Sequence, residues 1–175
     1  RPQRLFNEQE LSIAACKDYL NRAIELLQER NHDVKIIFTV SPIRYAKYGY
    51  HESQLSKAAL LLSVHDVIGE HIDENVAYFP AYEIVNDELR DYRFYKADML
   101  HPNEQAVEYI WERLVDMYFS PSAKEFLHEW KPVKEAFAHR PFNPESSEYK
   151  NFMVKMRAHA KLLAQKYNGL IIEDQ

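Results

Sequence analysis

A short apolar segment, residues 34–40, constrains the fold of this chain more than any other. It reads Val-Lys-Ile-Ile-Phe-Thr-Val and is followed directly by Ser41 and Pro42. Near-continuous runs of β-branched and aromatic residues of this length are typical of strands buried on both faces, as in parallel sheets. Because Pro42 has no backbone N–H group, it cannot continue a central strand. The segment therefore predicts a central parallel strand that ends at Val40.

The segments on either side alternate between helix and strand. Periodic apolar residues predict one helix before this strand, then a second helix and a second short strand after it, over residues 8–30, 53–71 and 75–79. Asn7 and Glu10 form a capping box for the first helix. The second helix is expected to face inward through apolar residues at helical spacing, namely Leu55, Ala58, Ala59, Leu62 and Ile68. This alternation is typical of an α/β layer with a parallel sheet.

Two strands are too few for a stable layer of this kind, because both edges stay open and the apolar cover is small. The chain does not begin with Met. We therefore expect further strands from residues upstream of Arg1, with this chain as the carboxyl-terminal portion of a larger α/β domain. If two strands are the whole sheet, their exposed edges favour pairing between copies and thus a homo-oligomer.

The last third of the chain is helical. Ser120 and Pro121 predict a helix start, and Pro132 is expected to kink or split the helix that follows. We expect a helical hairpin over residues 120–175, appended to an α/β part over residues 1–119. Its second helix, a C-cap and a terminal strand are predicted at residues 144–167, Asn168-Gly169 and residues 170–172.

The composition excludes several classes of site. The chain carries 22 Lys and Arg against 27 Asp and Glu, a net charge of −5, whereas nucleic-acid-binding domains are usually basic, so no nucleic-acid partner is expected. The three glycines, Gly49, Gly69 and Gly169, cannot form a phosphate or dinucleotide loop at the required spacing. A lone cysteine, Cys16, permits neither an intrachain disulfide nor a cysteine zinc cage. No cofactor is therefore expected.

No segment is long and apolar enough to predict a membrane span. The first residues lack the apolar core of a secretory signal, which favours a cytoplasmic location. His65 and His71 lie six residues apart on one predicted helix. That spacing does not place them on one helical face in register, so no metal site is expected.

Residues 97–102, Ala-Asp-Met-Leu-His-Pro, have the composition of the acid–base half of a hydrolytic triad. In a tight turn, the Asp98 carboxylate can accept one N–H of the His101 ring and leave the other ring nitrogen free to take a proton. Pro102 suits a helix start, and Asn103 can cap the helix that follows. The same four-residue pattern also occurs in surface turns, where the acid and the histidine act only as local caps.

The loop over residues 41–45 follows the predicted central strand, at the sheet edge where α/β proteins bind ligands. Ser41 can be interpreted as a nucleophile. However, Pro42 removes an amide that could stabilise an oxyanion, and no glycine elbow flanks the serine, so a wall-lining or structural role is favoured. Arg44 has two interpretations, binding of an anionic or carbonyl substrate, or pairing with a nearby acid such as Glu83 or Asp87.

Two tyrosines complete the candidate substrate-binding residues. Tyr45 belongs to the same loop, and Tyr82 lies in the aromatic-rich stretch over residues 78–83. Aromatic rings at a pocket wall suit a sugar or an acyl group. The alternative is that these rings only pack the loops against the sheet.

Several strings together resemble the GSCFA domain family. They are Thr39-Val40-Ser41-Pro42-Ile43-Arg44, Leu55-Ser56-Lys57, residues 78–85, residues 87–95 and Asp98-Met99-Leu100-His101-Pro102, and the likeness spans residues 5–119. This is a bacterial family similar to the SGNH (GDSL-like) hydrolases. In such relatives a His often follows the Arg of the Ser-Pro-x-Arg loop, and Tyr45 stands there in this chain.

The resemblance implies a partial three-layer α/β/α, flavodoxin-like fold, in which Asp98 and His101 correspond to the Asp-x-x-His pair of the SGNH triad. It also implies a nucleophilic serine in a Gly-Ser-Cys-Phe-Ala motif, which this sequence does not contain. We therefore predict a fragment of a serine esterase or acetylesterase, acting on a small ester or carbohydrate substrate and inactive alone. The alternative is a non-catalytic binding or assembly module that uses the aromatic loops and the helical hairpin.

Overall fold

The computed structural model describes residues 5–72, 75–167 and 170, and over these residues the chain is mostly helical with a small sheet. The broad α/β class predicted from the sequence is therefore confirmed. The chain divides into two compact units, Arg1–Arg113 and Leu114–Gln175. The elements in chain order are α1 (Ile13–Arg30), β1 (Ile36–Phe38), α2 (Tyr50–Glu70), β2 (Val76–Tyr78), α3 (Ala81–Glu83), α4 (Glu104–Tyr118), α5 (Pro121–Ala138) and α6 (Ser147–Lys166).

Strands β1 and β2 pair in parallel, with Ile36 opposite Val76 and Phe38 opposite Tyr78. Since α2 connects them, the three elements form a β-α-β unit. The predicted parallel pairing is confirmed, but each strand has three residues and is shorter than the sequence pattern indicated. Over the residues that the structure describes, the sheet has these two strands. Additional strands and association between copies stay predictions.

The core of the first unit lies where α1 and α2 cover the sheet. Ile24 of α1 and Val67 of α2 are fully buried and form one cluster with Val76 of β2. Partly buried apolar side chains surround this cluster, namely Leu20, Ile36, Phe38 and Ile68. One contiguous apolar cluster therefore joins both helices and both strands.

The predicted start of the first helix is wrong. Helix α1 begins at Ile13, and Ser12 is its N-cap, with the Ser12 hydroxyl accepting from the amide of Ala15 at 3.2 Å. In the segment before α1, the carboxylate of Glu8 pairs with the ammonium of Lys47 at 2.7 Å. The N-cap of this helix is therefore Ser12, five residues after the predicted cap, Asn7.

The predicted inner face of the second helix is correct at Ile68, which packs against the core, but wrong at its two leucines. Leu55 and Leu62 are about half exposed, whereas the buried residues of α2 are Ser53, Lys57, Ser63, Val64 and Val67. The polar members of that face are buried because they are hydrogen-bonded. The Ser63 hydroxyl, for example, donates to the main-chain carbonyl of Ile13 at 3.1 Å.

The second unit contains the helices α5 and α6. Ser120 caps α5, as predicted, by accepting from the amide of Ala123 at 3.2 Å. Helix α5 continues through Pro132, so a split at that residue is wrong. The core of this unit consists of Val133, Ala160 and Leu163, with Trp130, Tyr167 and Leu170 packed against it.

Helix α6 begins at Ser147, with Ser146 as its N-cap, three residues after the predicted start. The predicted C-cap, Asn168-Gly169, lies outside the described residues, as do Ile171 and Ile172 of the predicted terminal strand. Among the helices over residues 5–72 and 75–167, none is both long and apolar enough to span a bilayer.

Candidate functional site

Asp98 and His101 lie in one tight turn and contact each other directly. One Asp98 carboxylate oxygen, Oδ1, accepts from the amides of Leu100 at 2.8 Å and His101 at 3.0 Å. The other oxygen, Oδ2, lies 2.7 Å from Nδ1 of the His101 ring. Met99, between them, has a left-handed φ of 60°. A single carboxylate therefore closes the turn and also orients the imidazole.

The turn is fixed at its base by the main chain. The amide of Lys96 donates to the carbonyl of His101 at 2.8 Å, and the amide of Met99 donates to the carbonyl of Lys96 at 2.9 Å. Tyr95 and Pro102 form an antiparallel bridge just outside these bonds. The His101 backbone is thus held on both sides of the turn.

Asn103 connects the turn to helix α4. Its side-chain oxygen accepts from the amide of Ala106 at 3.0 Å, which confirms the predicted cap. Its side-chain nitrogen donates to the carbonyl of Arg93 at 2.6 Å, and its amide donates to the carbonyl of Phe94 at 2.8 Å. One residue therefore anchors the start of α4 to the segment before the turn.

The electrostatics of the turn fix the protonation of the acid. Hydrogen bonds from the amides of Leu100 and His101, followed by that from the His101 ring, lower the pKa of Asp98 to about 2. An ionised carboxylate can only accept, so Nδ1 of His101 is the donor of their 2.7 Å contact. Nε2 of the neutral ring is then left as an acceptor. About half of the His101 side chain is exposed, so the ring is not buried against Trp111.

We expect the Asp98 carboxyl to titrate far below an ordinary aspartate. Because its pKa is lowered in the folded state, its contribution to the turn is present above the reference value of 3.8 and is lost as the pH falls through about 2. The measurement is the pH dependence of the Asp98 side-chain carbon signal in NMR. An unstructured peptide with the sequence of residues 96–102 is the control and should titrate near 3.8. Equal midpoints in the peptide and the protein would contradict the turn geometry.

Arg44 ties the loop after β1 to this turn. Its guanidinium donates to the carbonyl of Met99 at 3.0 Å, and its amide donates to the carbonyl of Leu100 at 3.0 Å. The guanidinium also lies over three tyrosine rings, with centroid distances of 4.5, 5.5 and 5.7 Å to Tyr50, Tyr92 and Tyr95. The first of these contacts falls well within cation–π range. The Arg44 guanidinium therefore contacts a main-chain carbonyl and three rings. Glu83, one of the acids predicted as its partner, instead accepts from the hydroxyl of Tyr78.

Helix α2 in turn holds the loop that carries Arg44. The ammonium of Lys57 donates to the carbonyl of Ser41 at 2.7 Å, and burial lowers the pKa of this lysine. The hydroxyl of Ser53 accepts from the amide of Tyr45 at 3.1 Å. The polar face of α2 thus positions the loop, and the loop positions the turn.

The remaining predicted residues have the following places. The hydroxyl of Ser41 accepts from the amide of Ile43 at 3.3 Å, which is a local turn contact. The Tyr45 ring is exposed and lies 5.9 Å from the ring of Tyr48. The Tyr82 hydroxyl donates to the side chain of Gln54 at 2.9 Å. The structure thus brings Asp98, His101 and Arg44 together and describes no contact from Ser41, Tyr45 or Tyr82 to the His101 ring.

Sequence reasoning missed two residues that shape this site, Lys57 and Tyr50. No role for Lys57 followed from the pattern, because a lysine on a helix is normally assigned to solvent. The available signal was the spacing of Ser53 and Lys57, which lie on one face of a helix, four residues apart. Across the described parts of the chain, no cluster of three or more His, Cys, Asp or Glu could hold a metal ion.

The model of the GSCFA family matches residues 1–114, which include the Asp98–His101 turn, Arg44 and Lys57. The match covers well over half of the 175 residues. The chain belongs to the GSCFA family. A second model, described as the C-terminal domain of GSCFA domain proteins, matches residues 130–174, within the predicted helical hairpin. Neither curated proteins nor solved structures gave a match to this GSCFA chain.

Proposed function

We propose that this GSCFA chain supplies the acid–base pair of an SGNH-like serine hydrolase, an esterase or acetylesterase acting on a small acyl ester, including esters carried on carbohydrate. The observation that carries the proposal is the 2.7 Å contact between Asp98 Oδ2 and His101 Nδ1. It fixes the tautomer in which Nε2 can act as general base. The parallel strand pair is compatible with the flavodoxin-like sheet of SGNH enzymes, of which this chain would form the carboxyl-terminal portion.

In the proposed reaction, His101 Nε2 takes the proton from a serine hydroxyl as that hydroxyl attacks the ester carbonyl. The protonated ring then gives the proton to the departing alcohol oxygen, and an acyl-enzyme remains. In the second half-reaction His101 activates water in the same way. Asp98 stays ionised throughout, since its pKa is lowered to about 2, and stabilises the imidazolium that forms.

The attacking serine is proposed to lie in the Gly-Ser-Cys-Phe-Ala motif of the family, in a segment beyond the 175 residues of this sequence. Ser41 is a poorer candidate, since its hydroxyl already accepts from the amide of Ile43. Pro42, directly after it, has no N–H to donate to an oxyanion. This chain alone should therefore not hydrolyse esters at a useful rate.

The test compares p-nitrophenyl acetate hydrolysis by this chain and by a longer natural GSCFA chain that includes the motif. We expect the longer chain to be active and His101→Gln to lower its kcat/KM by about 10³-fold or more, because the general base is lost. His65 is an exposed histidine on α2, so His65→Gln is the matched control and should leave kcat/KM unchanged. An active longer chain that is indifferent to His101→Gln would exclude the acid–base role, and an inactive one would favour the binding-module alternative.

A further inference from the structure

A polar cavity of about 300 Å³ lies beside the Asp98–His101 turn, within the first unit. Two arginines, two side-chain amides and two tyrosine rings line it, namely Arg44, Arg90, Gln54, Asn86, Tyr92 and Tyr95. This volume is at the lower end of small-molecule sites and suits a single ring rather than a long chain. His101 is not among its lining residues.

Arg90 is held at this cavity in an unfavourable backbone conformation. Its φ is 46° and its ψ is 32°, in the left-handed region that favours glycine. It ends a π-helical turn, Ile84–Leu89, by donating its amide to the carbonyl of Val85 at 3.0 Å. Glycine or asparagine normally stands at such a position. A π-turn and a strained arginine at a cavity wall are both features that concentrate at functional sites.

The Arg90 guanidinium makes no hydrogen bond or ion pair with the parts of the chain that the structure describes. It is exposed and lines the cavity. Arg44, on the same cavity, uses one of its five guanidinium N–H groups on the carbonyl of Met99. Donors on both arginines are thus left for a ligand, and a pair of guanidiniums is well suited to a carboxylate or a phosphate.

The rest of the lining favours a hydroxylated ring. Tyr92 and Tyr95 offer ring faces, and their centroids lie 6.3 Å apart. The Gln54 side-chain oxygen accepts from Tyr82, which leaves its amide nitrogen as a donor. Asp91 also lines the cavity, and one of its carboxylate oxygens accepts from the amide of Arg93. Its second oxygen can accept from a ligand hydroxyl, whereas a second anionic group would be repelled.

We propose that this cavity binds one sugar-sized ring that carries a single carboxylate, as in a hexuronic acid. The carboxylate would face Arg90 and Arg44, the ring would lie on the tyrosines, and the hydroxyls would meet Gln54 and Asp91. The two arginines and one aspartate give the wall a net charge of +1 (2 − 1), which matches one carboxylate better than a dianionic phosphate.

This site deepens the proposed function, and that part of the inference rests on it. Arg44 belongs to the cavity and is also bonded to the carbonyls of Met99 and Leu100, the two residues before His101. A ligand held by Arg44 is therefore next to the acid–base turn. In the complete hydrolase, the substrate class would be an acyl ester of an acidic carbohydrate.

The test is an NMR titration of the full 175-residue chain with glucuronate, with glucose and inorganic phosphate as separate arms. We expect saturable shifts of the Gln54 and Asn86 side-chain amides with glucuronate and at least about tenfold weaker binding of glucose, which lacks the carboxylate. Equal binding of both sugars would overturn the carboxylate assignment. Phosphate shifting the same amides at lower concentration would overturn the ring assignment.

Two variants, one at Arg90 and one at Arg93, separate binding from folding. Arg90→Gly relieves the left-handed strain, so it should raise the melting temperature while weakening glucuronate binding about tenfold or more. Arg93→Gln removes the same charge from a neighbouring side chain that stacks on Phe94 and is not part of the cavity lining, and it should bind glucuronate normally. Unchanged binding in Arg90→Gly would overturn the proposal. None of these outcomes depends on ester hydrolysis, so the acid–base role of His101 is tested separately.

Discussion

Asp98→Asn should lower the kcat/KM of the proposed esterase, measured on the longer GSCFA chain, by about 10³–10⁴-fold while leaving the turn folded. The asparagine oxygen can still accept from the amides of Leu100 and His101, the bonds that close the turn. The side-chain nitrogen then faces Nδ1 of His101, where Asp98 places an acceptor. Two donors cannot share one hydrogen bond, so the ring should take the opposite tautomer, with the proton on Nε2.

The tautomer can be measured on this chain without any activity. We expect the ¹⁵N shifts of the His101 ring to interchange in Asp98→Asn, with little change in the backbone amide shifts of the turn. Asp98→Ala is the comparison, because it removes both the ring contact and the two amide bonds and should disturb the turn as well. An Asp98→Asn ring that keeps its proton on Nδ1, or hydrolysis that is unaffected, would show that this carboxylate does not set the state of His101.

Ile24→Ala should lower the free energy of unfolding by about 2–5 kcal/mol. Ile24 is 0% exposed and packs with Val67 and Val76 at the point where both helices meet the sheet. Truncation to alanine therefore removes apolar contact and leaves a cavity that its neighbours cannot fully close. The measurement is the midpoint of urea denaturation, followed by circular dichroism.

Leu27→Ala is the matched control on the same helix. The apolar periodicity of the sequence places Leu27 on the inner face with Ile24, but the structure leaves it 48% exposed. Its truncation should therefore cost less than about 1 kcal/mol, since most of the lost side chain is already in contact with water. Equal losses in the two variants would contradict the packing of α1 described above.

The Asp98–His101 turn was predictable because its contacts are local. Asp98, His101 and Asn103 lie within six residues, so their spacing alone allows the carboxylate to reach the ring and the amide side chain to reach the start of α4. The parallel pairing of the two strands was predictable for a related reason. A short apolar strand, a helix and a second strand in succession have few ways to pack.

The face of α2 could not be predicted in the same way. Leu55 and Leu62 have the periodicity of an inner face, yet they are about half exposed, while Lys57 and Ser63 are buried. A periodic pattern locates apolar side chains along a helix. It does not show that the ammonium of Lys57 donates to the carbonyl of Ser41, sixteen residues earlier. The same limit applies to the first helix, which begins after Ser12 and not after the predicted cap, Asn7.

By itself, the sequence determined the α/β alternation, the parallel strand pair, the family and the turn in which an acid faces a histidine. Each depends on residues close together in the chain or on strings long enough to be specific. Only the tertiary structure decided that Arg44 joins the loop after β1 to the carbonyls of Met99 and Leu100, and that Arg90 shares its cavity. Arg90 and Leu100 lie 46 and 56 positions after Arg44 in the chain. They come close to Arg44 because the loops that follow the two parallel strands lie at the same edge of the sheet.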